Sequence, residues 1–311
     1  MKQSKGNPIK DILLVIGPTA IGKTEFACQK ARELNAEIIS ADAFQVYRHM
    51  DIGTAKVSKE IRAEIPHHLI DIKDPDESYS AAEFVELANQ KITEIQARHK
   101  SIIICGGTGF YINAFLNEFS FAAGSEKADK TPDSEIRSQI QREIDEQGAQ
   151  TVWDQLKKID PDMADLVHPS NTKRLIRAME IYELTKTPPS KLRQKALEPR
   201  QDVQIIGLTA PRSLIYDRIN KRVDHMIESG LVQEVMTLLK MGYSKDCQAF
   251  QALGYKEVIA EIQSQSGVNA KGSIPSQEMI QLLKQRTRHF AKRQLTWFRR
   301  FKHVFWIDIS N

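Results

Sequence analysis

Short apolar runs alternate with longer stretches of mixed polarity along the first third of the chain. Ile12-Leu13-Leu14-Val15-Ile16 is continuous and is closed by Gly17-Pro18, as expected of a strand buried on both faces. Helical spacing follows over residues 23–34, then a second run at Glu37-Ile38-Ile39. His68-Leu69-Ile70-Asp71-Ile72 reads as a third strand and residues 80–98 as a helix. Ser101-Ile102-Ile103-Ile104-Cys105 is a fourth strand, stopped by Gly106-Gly107. Strands separated by helices need right-handed crossovers, so this order predicts a parallel sheet covered by helices on both faces.

The texture changes near residue 118. Residues 121–132 are small, charged and proline-containing, a loop or linker. Residues 133–185 keep helical periodicity without a strand, interrupted at Asp160-Pro161 and His168-Pro169 and closed by Pro188-Pro189. A polar, basic stretch covers residues 191–200. Strand character returns at Val203-Gln204-Ile205-Ile206-Gly207-Leu208, residues 212–263 and 276–303 read as helical, and Val304-Phe305-Trp306-Ile307-Asp308 as a last strand. The predicted organisation is one α/β core from residues 1–120 and 201–311, carrying an all-helical insertion over residues 121–200.

Gly17-Pro18-Thr19-Ala20-Ile21-Gly22-Lys23-Thr24 fits G-x-x-x-x-G-K-[ST] without a mismatch, between an apolar strand and a helix. Glycines at 17 and 22 let successive N–H groups point inward, and the helix N-terminus adds positive potential for the same anion. Lys23 would lie against phosphate oxygens and the Thr24 hydroxyl would coordinate Mg²⁺. The motif implies a P-loop-like fold and a bound di- or triphosphate, but not hydrolysis. A nucleotidase also needs an acid closing a later apolar strand. The strand at 101–105 runs instead into Gly106-Gly107-Thr108-Gly109, and Asp71 is only a weak substitute.

Asp42 follows the second strand, and the carboxyl ends of parallel strands face the ligand crevice. It could be an outer Mg²⁺ partner, a general base or a helix N-cap. Gln45 and Tyr47 add hydrogen-bonding and stacking capacity, although Tyr47 could equally sit in the core.

Composition narrows the classes. The 311 residues include 41% hydrophobic and 27% charged, which argues against disorder and coiled coils. No apolar window approaches a membrane span, and the polar start shows no secretory signal. Cys28, Cys105 and Cys247 lack metal-ligand spacing, so a reducing cytoplasm is expected. The net charge of +4 hides an asymmetry: between Glu278 and Asp308 there is no acid and there are eight cations, Lys284, Arg286, Arg288, Lys292, Arg293, Arg299, Arg300 and Lys302. Without those eight, 36 basic residues face 40 acidic ones. A local basic stripe is what matters for a polyanion.

The chain resembles the bacterial tRNA dimethylallyltransferases. The matching strings are residues 17–24 (GPTAIGKT), 42–51 (DAFQVYRHMD), 53–56 (GTAK), 66–71 (PHHLID) and 106–111 (GGTGFY). They continue with 171–180 (NTKRLIRAME), 254–257 (GYKE) and 291–299 (AKRQLTWFR), in order across nearly the whole chain. Departures are small: Val57 follows GTAK where Pro is usual, Phe110 replaces a common Leu, and residues 121–132 are longer than usual.

The resemblance implies transfer of a dimethylallyl group from dimethylallyl diphosphate to N6 of the adenosine 3′ of the anticodon. The substrates would be tRNAs reading codons that begin with U, and the products N6-isopentenyladenosine and diphosphate. Such chemistry needs cations on the departing diphosphate, a base near N6 and an unstacked adenine. Asp42 is the expected base. Thr108 resembles the residue lining the channel near the reacting centre, unless it is a helix N-cap. Arg218 and Arg222 share a helix face; one of them would contact diphosphate, the alternative being solvation or pairing with Asp217 and Asp224. For the RNA, the expected contacts are Asp42, Ala43, Phe44 and Gln45 around the adenosine, and Lys173, Arg174 and Arg177 on one helix face. Lys292, Arg293, Arg299 and Arg300 flank Trp297-Phe298, aromatics that stack on bases or pack in the core. The anticodon stem-loop and dimethylallyl diphosphate are the expected partners, Mg²⁺ the cofactor, ATP an open alternative at the P-loop, and the protein a cytoplasmic monomer. Rival readings are an adenylate isopentenyltransferase, a P-loop kinase and a nucleic-acid-stimulated ATPase.

Overall fold

The computed structural model describes residues 12–117, 134–192, 200–264 and 275–310. The expected linker at 121–132 and most of the basic stretch at 191–200 lie outside them. In chain order the elements begin with β1 (Ile12–Ile16), α1 (Lys23–Leu34), β2 (Ala36–Ser40), α2 (Lys59–Glu64) and β3 (His67–His68). Next come α3 (Ala81–Ala97), β4 (Ser101–Gly106), α4 (Gly109–Leu116), α5 (Ser134–Gln147), α6 (Ala149–Ile159), α7 (Pro161–Ala164), α8 (Thr172–Thr185) and α9 (Pro189–Leu192). The chain finishes with β5 (Val203–Thr209), α10 (Arg212–Glu228), α11 (Leu231–Lys240), α12 (Tyr255–Ser264), α13 (Gln277–Phe298) and β6 (Val304–Asp308). Among the described residues these form two compact units, one from residues 12–116 and 200–310 and one from residues 134–192.

The first unit holds a six-stranded parallel sheet in the order β3-β2-β4-β1-β5-β6. Its central strands are apolar throughout because helices cover both faces; Ile12, Leu14, Val15, Ile16, Ile103 and Ile104 are fully buried. From β1 the chain moves to β2 and returns to β4, then crosses to β5 on the other side. The loops after β1, β2 and β4 therefore open around one crevice at the carboxyl ends of the strands.

The third strand is shorter than its apolar pattern predicts. Only His67 and His68 pair, with Ile38 and Ile39. Leu69 and Asp71 adopt positive φ, 62° and 57°, which a ladder does not accommodate. Asp71 is no stand-in for a nucleotidase acid either. Its carboxylate is held by Lys56 at 2.5 Å and Arg62 at 2.6 Å, and these partners hold its proton affinity below the ordinary range despite burial.

Three helical predictions are also corrected. Residues 212–263 break into α10, α11, a 3₁₀ turn at Gln248–Gln251 and α12, with left-handed glycines at 230, 242 and 254. The last helix ends at Phe298, so Arg299 and Arg300 lie beyond it. Pro189 does not close a helical stretch; it begins α9.

The second unit is all helical. Ile140, Ile144, Val152, Leu156, Leu175 and Met179 are central to its core. The Trp153 indole N–H is shared between the carbonyls of Val167 and Ala164 at 2.6 and 3.2 Å. Asp160 Oδ1 caps α7 through Met163 N–H, and Oδ2 accepts from Ser190 N–H at 2.7 Å.

The ends of β2 and β4 are pressed together. A Cβ on Gly106 would stand 2.1 Å from the Ala41 carbonyl oxygen. Gly106→Ala is therefore expected to cost about 3 kcal/mol by forcing backbone apart, read as a lower urea midpoint at unchanged slope. An unchanged midpoint would contradict this close approach.

Candidate active site

The loop after β1 turns back on itself through Ala20, φ 64°, and Gly22, φ 96°. Gly22 is the N-cap of α1 and offers no side-chain cap, so the first turn of the helix presents bare N–H groups. Among the described residues, the amides of Ala20, Gly22, Lys23 and Thr24 donate to no protein acceptor. Pro18 O accepts both Ile21 N–H at 3.4 Å and Lys23 Nζ at 2.9 Å. The ammonium is thus folded over its own loop. Burial lowers its pKa to about 8, with Arg222 acting in the same direction and Cys105 and Asp42 opposing. Burial pushes the Cys105 thiol up to about 12, so this thiol in the cleft stays protonated and is no nucleophile.

Asp42 opens the loop after β2. Its Oδ1 accepts from Phe44 N–H at 2.9 Å and Gln45 N–H at 3.3 Å, an Asx turn. Oδ2 has no protein donor among the described residues. The residue both shapes its own loop and presents a free carboxylate oxygen. Thr108 supports the same loop, its Oγ1 accepting from Ala43 N–H at 3.0 Å; it does not cap α4. The Gln45 amide is already engaged, accepting from Ser40 Oγ at 3.0 Å and donating toward the carbonyls of Thr54 and Ala55. Tyr47 is fully buried, the core alternative.

Two cavities meet at Asp42. The first, about 660 Å³, is walled by Lys23, Thr24, Ser40, Gln45, Cys105 and Gln294. The second, about 940 Å³, adds Phe44, Thr108, Met226, Leu253, Leu283 and Arg293. Thr19, Asp42, Thr54, Arg222 and Phe290 line both. One compartment is therefore lined by the P-loop and two cations, the other is roomier and more apolar, and a carboxylate stands between them. Arg222 reaches this junction from α10. Burial lowers its pKa against the pull of Asp42, yet a guanidinium remains charged. Arg218, one turn earlier, bonds Ile21 O at 3.2 Å through Nη1 and faces the outer side of the P-loop. Among the described residues neither arginine forms an ion pair; Asp224 pairs with Lys284 instead.

The C-terminal basic stripe is balanced by acids only in its first part. Lys284 pairs with Asp224 at 2.6 Å, Arg286 with the buried Glu257 at 2.8 Å, and Arg288 bonds Asn220 at 2.7 Å. Lys292, Arg293, Arg299 and Arg300 are exposed. Phe298 is fully buried and Trp297 covers Gly109, so these aromatics take the packing alternative. In the second unit Lys173 and Arg174 are exposed, whereas Arg177 pairs with the buried Glu180 at 2.8 Å.

Two further residues matter that the linear pattern did not single out. Glu234, on α11, accepts from the amides of Asp51, Ile52 and Gly53 at 2.9, 2.8 and 3.2 Å and from Tyr255 Oη at 2.6 Å. It pins the segment that leads into Thr54 and Ala55 in the cavity wall. Gln294, on α13, bonds Thr19 N–H and Gly107 O, each at 2.8 Å. A carboxamide in the apolar stripe Leu283, Ala291, Phe298 was the available signal. Among the described residues no cluster of three or more His, Cys, Asp or Glu could hold a metal, and no helix is long and apolar enough to cross a membrane.

A parallel α/β sheet with a P-loop, two cations and a carboxylate facing a second acceptor-sized cavity defines a transferase acting on a phosphorylated donor. The IPP transferase family profile matches residues 45–301, and the chain belongs to that family. A tRNA dimethylallyltransferase of Alkaliphilus oremlandii is 44% identical, covering 97% of this chain and 92% of the relative. One from Halalkalibacterium halodurans is 43% identical over 96% and 91%. The full-length tRNA isopentenylpyrophosphate transferase of Bacillus halodurans has TM-score 0.66 and 42% identity, covering 96% of this chain and 90% of that one. A eukaryotic dimethylallyltransferase acting on tRNA reaches TM-score 0.75 at 26% identity, over 96% and 74%.

The lowered pKa of Lys23 has a sign that can be measured. Its ammonium is retained below about pH 8 and lost above it, so affinity for inorganic diphosphate should fall between pH 7 and pH 9. Calorimetric titration should show at least a severalfold loss for the wild type, and a flat response for Lys23→Met.

Proposed function

We infer that this protein is a cytoplasmic tRNA dimethylallyltransferase that acts as a monomer on the adenosine 3′ of the anticodon, in tRNAs reading codons that begin with U. The observation that carries this reading is the free oxygen of Asp42 at the junction of the two cavities. Dimethylallyl diphosphate would place its diphosphate in the P-loop, against the free amides, Lys23 and Arg222. Its allylic carbon then faces the second cavity, where an adenine amine can approach from the opposite side.

The carbon–oxygen bond to diphosphate breaks as the N6–carbon bond forms, and the diphosphate leaves with the electron pair. N6 sheds one proton, which Asp42 Oδ2 accepts. Lys23, Arg222 and the loop amides meet the charge that grows on the departing oxygens, where fixed dipoles are most effective. Thr108 keeps the Asp42 loop in place through Ala43.

Mg²⁺ fits the donor set: Thr24 supplies one hydroxyl to a cavity without a carboxylate cage, and Mg²⁺ commonly takes few protein ligands beside phosphate oxygens. When bound, it would supply further neutralisation of the diphosphate. The amides and Lys23 also suit the phosphates of ATP, but Asp71, spent on Lys56 and Arg62, leaves no acid in the nucleotidase position.

An anticodon loop offers a base that is cheap to extrude. Phe44, Thr108 and Arg293 line the cavity that would receive it. Lys292, Arg299 and Arg300, with Lys173 and Arg174 in the insertion, are the proposed backbone contacts.

Incubation with dimethylallyl diphosphate, Mg²⁺ and an unmodified anticodon stem-loop should add one dimethylallyl mass to the RNA and none to AMP. Labelled AMP, or ATP turnover without prenylation, would overturn the reading. Asp42→Ala should lower kcat at least about a hundredfold while diphosphate still binds; near-normal turnover would remove Asp42 as the base. Arg299→Ala with Arg300→Ala should weaken RNA binding and flatten its salt dependence by roughly 0.7 for each phosphate left without its cation, with single-turnover rates on bound RNA unchanged.

A further inference from the structure

Gln294 lies on the buried face of α13 and is 7% exposed, yet its side chain reaches two loops that belong to other elements. Its Oε1 accepts from Thr19 N–H in the P-loop and its Nε2 donates to Gly107 O in the turn after β4, both at 2.8 Å. The amide has one acceptable orientation. Turned over, it would set its NH₂ against an N–H and its oxygen against a carbonyl.

Gly107 makes room for this contact: a Cβ there would stand 2.5 Å from Nε2 and 3.7 Å from Lys23 Nζ. The amide and the ammonium both line the first cavity. Its bond to Thr19 also defines the rim of the cradle, since the next free amide is that of Ala20.

We propose that Gln294 is a positioning residue for the diphosphate. It clamps the rim of the P-loop to the turn after β4, so that the free amides and Lys23 stand in their binding geometry before an anion arrives. A loop of small residues with one internal backbone bond, Ile21 N–H to Pro18 O, would otherwise sample many conformations. Ordering it in advance removes that cost from binding. The proposal rests on the reading of the P-loop as the diphosphate site.

The test is calorimetric binding of inorganic diphosphate and of dimethylallyl diphosphate, with RNA affinity measured in parallel by fluorescence anisotropy. Gln294→Met keeps length and removes both bonds; it should raise both diphosphate Kd values about tenfold or more and leave RNA affinity within twofold. Gln294→Glu keeps the acceptor for Thr19 and loses the donor for Gly107, so it should also bind diphosphate more weakly. It serves as the second probe if the Met variant does not fold. Gly107→Ala should reproduce the loss, and Gly107→Ala combined with Gln294→Met should be no weaker than Gln294→Met alone, because both break the same link.

Variants that bind diphosphate within twofold of wild type would overturn the proposal. So would additive losses in the double variant, or RNA affinity falling in step with diphosphate affinity. A wild type that binds neither diphosphate would instead overturn the assignment of the P-loop site.

Discussion

Lys23 and Arg222 bring like charges into one cleft where each is partly stripped of water, and each lowers its hold on a proton for that reason. A carboxylate bonded to either would relieve the cost, and would also have to be displaced by any incoming anion. The chain relieves it with a neutral dipole, the Pro18 carbonyl on Lys23 Nζ, and with the more distant charge of Asp42. Lys56 shows the alternative. Its side chain is 2% exposed and is locked by Asp51 and Asp71 at 2.8 and 2.5 Å, which makes it a fixture of the wall and unsuited to binding substrate. One residue type is put to two uses, and the partner decides which.

That arrangement constrains everything around it. Cations left without strong partners stay in place only if their backbone does. The sheet supplies the first level of rigidity, since the loops after β1, β2 and β4 leave adjacent strands whose ends touch at Gly106 and Ala41. Side chains from far along the chain supply the second. Thr108 holds Ala43, Glu234 holds the amides of residues 51–53, and Gln294 holds Thr19 and Gly107.

This division explains what could be read from the sequence. The P-loop, the strands around it and the position of Asp42 depend on neighbours within a few residues, and apolar runs and glycine spacing record them. Glu234 and Gln294 act on partners more than 180 residues away, and a linear pattern carries no trace of that distance. The third strand misleads for a related reason. Leu69-Ile70 is apolar enough for a strand, but Asp71 is drawn aside by Lys56 and Arg62, and the backbone turns left-handed on either side of Ile70.

The basic stripe shows how counting charge along a chain differs from counting it in space. Eight cations without an intervening acid look like one binding surface. In three dimensions the first three bond Asp224, Glu257 and Asn220, so they tie α13 to α10 and α12, and two of them have their charge offset by an acid. The remaining cations lie in the last two turns of the helix and the residues just after it. One helix therefore divides its work along its length. Its first half is anchored by ion pairs, and its second half carries both the exposed cations and, on the buried side, the carboxamide that grips the P-loop. Anchoring the first half is what allows a single side chain near the other end to hold a phosphate loop in register, because a helix free to slide could transmit no position at all.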